Sequence, residues 1–391
     1  MPEFLQAVKR EMEQRSDYFT YATVPPLSSS VPPFSSTAPP LSSSVPPLSS
    51  TVPPLSSTVP PLSTSPSTLY IGGGTPSLYK PEELGELIVE AKRLWKCEFQ
   101  EITIEMNPED VTPDYCARLT LYGVNRLSFG IQSFFDAHLH FMNRRHNAMQ
   151  GIRAFEAARS AGFQNISIDL IFGFPGLSLS QWKSNIEQAI ALHPEHISAY
   201  QLGIEPGTPL YRRVQKGLLQ PVPQEEAADQ YAILQEMLPL AGWAHYEISN
   251  FAREGYRSRH NSAYWQGAPY LGLGPSAHSY NGVKRYFNVR NLGRYLDGFS
   301  YVKTEQLLPR MRYNEFIMTR LRTSDGFSER ELTSWMAPWC RSSFIEAMER
   351  HFHAATAPLL EKGLLILHNE MYMIPPEKWF ISDGIIVSLI M

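Results

Sequence analysis

Five short apolar runs separated by helix-like stretches set the limits on this chain's fold: Thr68–Ile71, Glu101–Met106, Arg126–Ile131, Asn165–Phe172 and His196–Leu202. Between them lie PEELGELIVEAKRLW, TPDYCARLTLYG, AMQGIRAFEAARSAG and SLSQWKSNIEQAIAL. Several of these open on Pro, Thr or Ser and stop at Gly, the usual signals of helix start and end. Strand–helix repetition of this kind predicts parallel pairing, because parallel neighbours need a crossover long enough to hold a helix. The alternation inside the runs says more. In EITIEMN, Ile102, Ile104 and Met106 share one face, and Thr103, Glu105 and Asn107 share the other. In RLSFGIQS, Leu127, Phe129 and Ile131 oppose Ser128, Gly130 and Gln132; in NISIDLIFG, Ile166, Ile168, Leu170 and Phe172 oppose Ser167 and Asp169. Parallel strands covered on both sides normally read as unbroken apolar runs. Repeated Glu, Gln and Asp on one face, toward the strand ends, therefore predict a barrel-like sheet around a ligand-filled interior.

The bulk composition narrows the function. Lys and Arg number 34 against 38 Asp and Glu, a net charge of −4 that offers no electrostatic footprint for nucleic acid. The N-terminal MPEFLQAVKREMEQRSDYF is charged and amphipathic, unlike a secretory signal, and its acids argue against a mitochondrial transit peptide. Three scattered cysteines, Cys97, Cys116 and Cys340, imply neither a disulfide framework nor a zinc site and fit a reducing cytoplasm. No run reaches the length of a membrane span.

One segment stands apart. From Val24 to Ser65 a VPPLSSS-type heptad recurs, with paired prolines that bar helix and a Ser/Thr run that has nothing to bury. The expectation is a disordered, partly polyproline II insertion in an exposed loop, so the domains read as 1–23, an N-terminal helix; 24–65, the repeat; 66–308, the core; and 309–391, a C-terminal module. Deleting the repeat is expected to leave the melting temperature within about a degree or two, since closure entropy changes slowly with loop length. A loss of several degrees in a thermal melt would reveal contacts with the body.

In the last module MRYNEFIMTRLRT, FSERELTSWM and SSFIEAMERHFHAATAPLLEKG read as helices, and LLILHNEMYMI as a hairpin turning near Asn369. Helices followed by a two-stranded wing suggest a winged-helix-like domain. From Arg310 to Met391 nine basic residues face ten acidic ones, so the module reads as a cover or docking unit rather than a DNA reader.

The motifs are YIGGGTPS, ITIEMNPED, NRLSFGIQSF, MNRRH, ISIDLIFGFPG, ISAYQLGIEPGTPLY and YEISNFAREGYRSRHNSAYWQGAPYLGLGPSAHSY. GGGTP alone marks a backbone loop able to approach a ligand closely, or simply a tight strand-to-helix turn. No lysine follows as a phosphate loop needs. Taken together and in order, the motifs resemble the radical S-adenosylmethionine family of coproporphyrinogen-dehydrogenase-like proteins, and its HemW-type heme chaperones in particular. The fold this implies is an incomplete (β/α)6-type partial barrel followed by the winged-helix-like α/β domain.

The resemblance implies that Gly73, Gly74 and Thr75 hold the amino-acid end of S-adenosylmethionine, and that Glu105, Gln132, Arg144 and Asp169 make the other cofactor contacts, with Arg145 an alternative to Arg144. Such a set suits the ligand, since an ammonium pairs with a carboxylate and a carboxylate with Arg. It further implies that the HNSAYW segment binds heme, with His260 as the iron ligand and Tyr264 and Trp265 as apolar surface against the porphyrin. An alternative is a histidine merely hydrogen-bonded in a loop; His245, His278 and Tyr246 are lesser candidates. The glycines Gly255 and Gly267 on either side suggest a loop that closes over a flat ligand. Partners would be heme and an acceptor protein, soluble or membrane-associated, that the sequence does not name.

The family also opens with a strand bearing C-x-x-x-C-x-x-C, whose thiolates hold a [4Fe–4S] cluster. That spacing does not occur in this sequence. The N-terminal helix resembles the one that follows the cysteine loop, so the expectation is a chain starting one strand late. Three readings stay open: a heme chaperone, a radical porphyrinogen oxidase or dehydrogenase, and a truncated inactive copy. HNSAYW favours the first over the second.

Overall fold

The computed structural model describes residues 2–19, 65–298 and 301–391; apart from Ser65, the heptad repeat lies outside them. After α1 (Pro2–Gln14), strands and helices alternate as β1 (Thr68–Ile71), α2 (Pro81–Trp95), β2 (Glu101–Met106), α3 (Pro113–Thr120), β3 (Arg126–Gln132), α4 (Asp136–Phe141), α5 (Ala148–Ser160), β4 (Ile166–Phe172), α6 (Leu179–Ala191) and β5 (His196–Gln201). Then α7 (Pro209–Gln215) and α8 (Gln224–Leu240) lead to a hairpin, β6 (Ala244–Glu247) and β7 (Asn250–Ala252). The sheet runs β1-β2-β3-β4-β5-β7-β6, with the first five strands parallel and β7 antiparallel to β5.

The helix boundaries follow local chemistry. Thr112, Asn147 and Ser178 each accept a hydrogen bond from the backbone amide three residues on, satisfying first-turn donors of α3, α5 and α6. The apolar strand faces pack outward as expected: Ile104, Leu127, Phe129, Ile131, Ile166 and Ile168 are fully buried beneath Leu84, Ile88, Ala158, Trp182 and Ile186 of the helices. Each such side chain contributes roughly 1.5–3 kcal/mol by burial. Trp182 also donates its indole N–H to the Gln230 carbonyl at 2.7 Å, which fastens α6 to α8.

Beyond the sheet come α9 (Arg259–Trp265), β8 (His278–Tyr280), β9 (Lys284–Asn288), α10 (Leu292–Leu296) and β10 (Tyr301–Gln306). The three strands form a small antiparallel sheet in the order β10-β9-β8. This sheet was not expected from the sequence, because its strands are short and carry little apolar alternation. It anchors α1. Glu11, 2% exposed, accepts from Asn288 Nδ2 (2.8 Å), Tyr295 Oη (2.7 Å) and the Gly274 amide (2.9 Å), and pairs with Arg15 at 3.0 Å.

The C-terminal module consists of α11 (Pro309–Arg320), α12 (Glu329–Met336), α13 (Ser342–Glu361), the hairpin β11 (Ile366–His368) and β12 (Met371–Met373), and α14 (Ser382–Val387). Asn369 and Glu370 both have positive φ, 49° and 65°, as a two-residue type I′ hairpin turn requires. The three-helix-plus-wing order matches the expectation.

Candidate functional site

The polar strand faces point into a lumen open at the C-terminal ends of the parallel strands. On its rim Glu105 organises the glycine loop. Its carboxylate accepts from Tyr70 Oη on one oxygen and from the Gly73 amide on the other, both at 2.9 Å. A Cβ on Gly72 would lie 2.5 Å from the Glu105 carboxyl carbon, so any other residue there would push this carboxylate aside. Gly73 itself has a φ of +76°, and nothing lies within 4 Å of the place a Cβ would take on Gly73 or Gly74. That open backbone cradle, next to a fixed carboxylate, suits the amino-acid end of S-adenosylmethionine. Thr75 begins the following turn, and its side chain makes no capping bond.

Across the lumen, Arg144 donates from Nη2 to Asn107 Oδ1 (2.9 Å) and to the Gly130 carbonyl (3.1 Å), which ties the ends of β2 and β3 together. Arg145 turns outward instead and pairs with Glu109 at 2.8 Å. Arg144, not Arg145, is therefore the arginine that reaches the inward ends of β2 and β3. Gln132 adopts a left-handed backbone (φ 65°) where the β3–β4 register shifts, which swings it toward Arg144. Asp169 accepts from Ser128 Oγ at 3.3 Å. Burial pushes its carboxyl up to about 6, against a hydrogen bond from Ser198 and the charge of Arg126, and with the Glu105 charge adding to the rise.

The opposite end of the lumen is closed by α9, and here the structure corrects the sequence reading. HNSAYW is a helix, not a loop, because Ser258 caps it by accepting from the Asn261 amide at 3.2 Å. Glu101 completes the cap by accepting from the Arg259 and His260 amides at 3.0 Å each. His260 and Tyr264 share a face one turn apart, with Nε2 and Oη 3.1 Å apart. His260 Nδ1 meets Thr68 Oγ1 at 2.9 Å, and its ring stacks on Tyr70 at 5.0 Å. Trp265 lies about 140° further round the helix from His260 and does not join them. Burial lowers the His260 pKa to about 4, which holds the imidazole neutral as a metal ligand must be. Outside this face lies a cleft of about 220 Å³ lined by Trp95, Phe99, Leu69, Tyr264, Tyr270 and His260, among others.

Of the lesser candidates, His245 is sealed between Phe251 and Trp379, and its pKa falls to about 3 through burial. Exposed His278 lies on the small sheet against Phe287. Tyr246 lies beneath the lumen floor, where its Oη meets His196 Nε2 at 2.8 Å while Ser167 Oγ meets His196 Nδ1 at 2.8 Å. Sequence reading missed His196, Tyr70, Glu101 and Arg126. Glu101, Arg126 and His196 open their strands and Tyr70 lies within the short β1, positions where no catalytic motif drew the eye. Among the described residues no group of three or more His, Cys, Asp or Glu converges to hold a metal. Cys116 and Cys340 are buried and Cys97 is half-buried, and among the described residues they form no group of thiolates that would fit an iron–sulfur cluster.

Residues 66–189 match the model of the radical S-adenosylmethionine superfamily. Over 309 residues the chain is 37% identical to the heme chaperone HemW of Bacillus subtilis, spanning 77% of this chain and 79% of that protein. The chain belongs to the HemW heme chaperone family. HemW of Mycobacterium tuberculosis is 32% identical over 324 residues, covering 83% of this chain and 80% of that one. This HemW-family chain also superposes on coproporphyrinogen III oxidase (HemN) of Escherichia coli with a TM-score of 0.69, over 83% of this chain and 77% of that one. At 19% identity that likeness shows the shared fold. Radical S-adenosylmethionine membership implies S-adenosylmethionine and an iron–sulfur cluster for the family. No helix among the described residues is long and apolar enough to cross a membrane.

Proposed function

We propose that the chain binds heme in the cleft beside His260 and passes it to an acceptor protein; the relatives it matches carry the name heme chaperone. Gly73, Gly74, Thr75, Glu105, Gln132, Arg144 and Asp169 would hold S-adenosylmethionine in the adjoining lumen. The observation that carries the reading is the setting of His260. Its imidazole is neutral, its Nδ1 is oriented by Thr68, and its Nε2 faces an aromatic-walled cleft with only the Tyr264 hydroxyl to displace. Metal-ligating histidines characteristically have their other nitrogen held in this way.

The size of the cleft supports transport over permanent residence. Its 220 Å³ falls below the roughly 300–1,000 Å³ of sites that enclose their ligands, so a porphyrin would rest one face on Tyr264, Tyr270 and Trp95 and leave the other outside. Covering one face offers several hundred Å² at about 25 cal/mol per Å², enough to hold a cargo while an acceptor reaches the rest. We place the activity in the cytoplasm and divide the chain at 308/309 between the core and a docking module.

Because the apolar term alone can retain heme, affinity is a weak test of His260, and the Soret band is the sharper one. His260→Ala is expected to shift or weaken the Soret absorption of the heme complex. His193→Ala, an exposed histidine whose side chain meets Arg253, is expected to leave it unchanged. Soluble His260→Ala protein with a parental heme spectrum would overturn the assignment.

A further inference from the structure

Arg126 opens β3 on the inward face, opposite Thr103 of β2, and is 2% exposed. Its Nε is buried without a hydrogen-bond partner, and among the described residues no ion pair reaches its guanidinium. A buried charge left in this state is costly, and such groups in folded proteins ordinarily meet a partner. Its parity on β3 is that of Ser128, whose Oγ meets Asp169 at 3.3 Å, and its charge bears on Asp169, His196, Tyr246 and His260, groups of four separate elements. None of the contacts described for S-adenosylmethionine or heme uses it.

We propose that Arg126 is a binding residue for the carboxylate of a small molecule held in the lumen below the S-adenosylmethionine position. The planar fork of a guanidinium matches a carboxylate through two parallel hydrogen bonds. A carboxylate brings one negative charge to this one guanidinium, whereas a phosphate would bring a second beside Glu105 and Asp169. Three tyrosines around it, Tyr70, Tyr200 and Tyr246, supply aromatic walls for the remainder of such a molecule, and the Tyr70 and Tyr246 hydroxyls are already engaged by Glu105 and His196. The inference rests on the lumen being a ligand chamber, as the S-adenosylmethionine reading also holds.

The test uses the full chain, with propionate as probe and propionamide as its neutral counterpart, in thermal melts at matched ionic strength. Millimolar propionate is expected to raise the parent's melting temperature saturably by a few degrees and propionamide to leave it unchanged. Arg126→Met should lose the response while melting, ligand-free, no lower than the parent, because an unpaired buried charge has been replaced by an apolar chain of similar length. Arg126→Lys should keep part of the response. A parent indifferent to propionate, or an Arg126→Met protein that responds like the parent, would overturn the proposal. So would a sharp drop in the ligand-free stability of Arg126→Met, which would make Arg126 an internal counterion to Asp169. Calorimetry with S-adenosylmethionine separates the two readings. Binding retained in Arg126→Met supports a separate ligand, and binding lost there would assign the carboxylate to S-adenosylmethionine itself. Glu105→Gln, which disables only the rim, should keep the propionate response even if the S-adenosylmethionine reading fails.

Discussion

Glu105→Gln is expected to weaken S-adenosylmethionine binding about a hundredfold. The carboxylate does two things at once. In the proposed site it would meet the ligand's ammonium, and it accepts from both the Tyr70 hydroxyl and the Gly73 amide at 2.9 Å. The amide of Gln removes the charge, which is worth about 1.5–3 kcal/mol in a hydrogen bond to an ion. It also turns an NH2 group toward one of the two donors, so either Tyr70 or Gly73 loses its acceptor and the Gly72–Gly74 loop is released. Together these effects approach 3 kcal/mol, a factor of about a hundred in Kd. Asp169→Asn should act in the same direction. Calorimetric titration gives the ratio directly, and variants of Glu105 and Asp169 that both bind like the parent would show the rim to be something other than the cofactor site. Gly72→Ala offers an independent check, since its Cβ would displace the same carboxylate without altering its charge.

Glu247→Gln is expected to remove a component of stability that varies with pH near neutrality. Glu247 ends β6, is 1% exposed, bridges to Thr323 of the C-terminal module and accepts from the Ser249 amide at 3.2 Å. Burial raises its carboxyl from 4.5 to about 7, with hydrogen bonds from Ser249 and Asn250 and the charge of Arg322 opposing the rise. The folded chain therefore holds this proton more tightly than the unfolded one. Stability from this group is fully present below about pH 4.5 and is lost as the pH rises through about 7, where the charged form must be buried. A shift of this size corresponds to about 3 kcal/mol. Denaturant unfolding of parent and variant at pH 5 and pH 8 isolates the term as the difference between the two proteins. The parent should lose more stability than Glu247→Gln between those pH values, and equal losses would show that Glu247 titrates normally. Since Glu247 lies where β6 meets residues 322–324, the same ionisation should loosen the junction with the C-terminal module.

The features readable from residue order alone are those that depend on neighbours in sequence. Period-two alternation in EITIEMN, RLSFGIQS and NISIDLIFG placed Glu105, Gln132 and Asp169 on one inward face, and the pleat of a strand leaves no other arrangement once the apolar partners are covered. Pro, Thr and Ser at the helix openings marked their starts, and Asn369 marked the wing turn, because caps and tight turns are made by side chains within a few residues of one another. Pairings between distant segments were beyond its reach. His260 finds Thr68 192 residues away, and its helix is capped by Glu101 from 159 residues away, so a segment bounded by glycines and read as a closing loop becomes a rigid helix. The same holds for Gly72, whose need to be glycine arises from the Glu105 carboxylate and not from its own turn. The choice of Arg144 over Arg145 followed from which side chain could reach Asn107, and the buried, unpaired state of Arg126 from what the other strands brought to the floor of the lumen. These are properties of a closed space, and only packing the strands and helices around it decides which groups are satisfied there and which are left for a ligand.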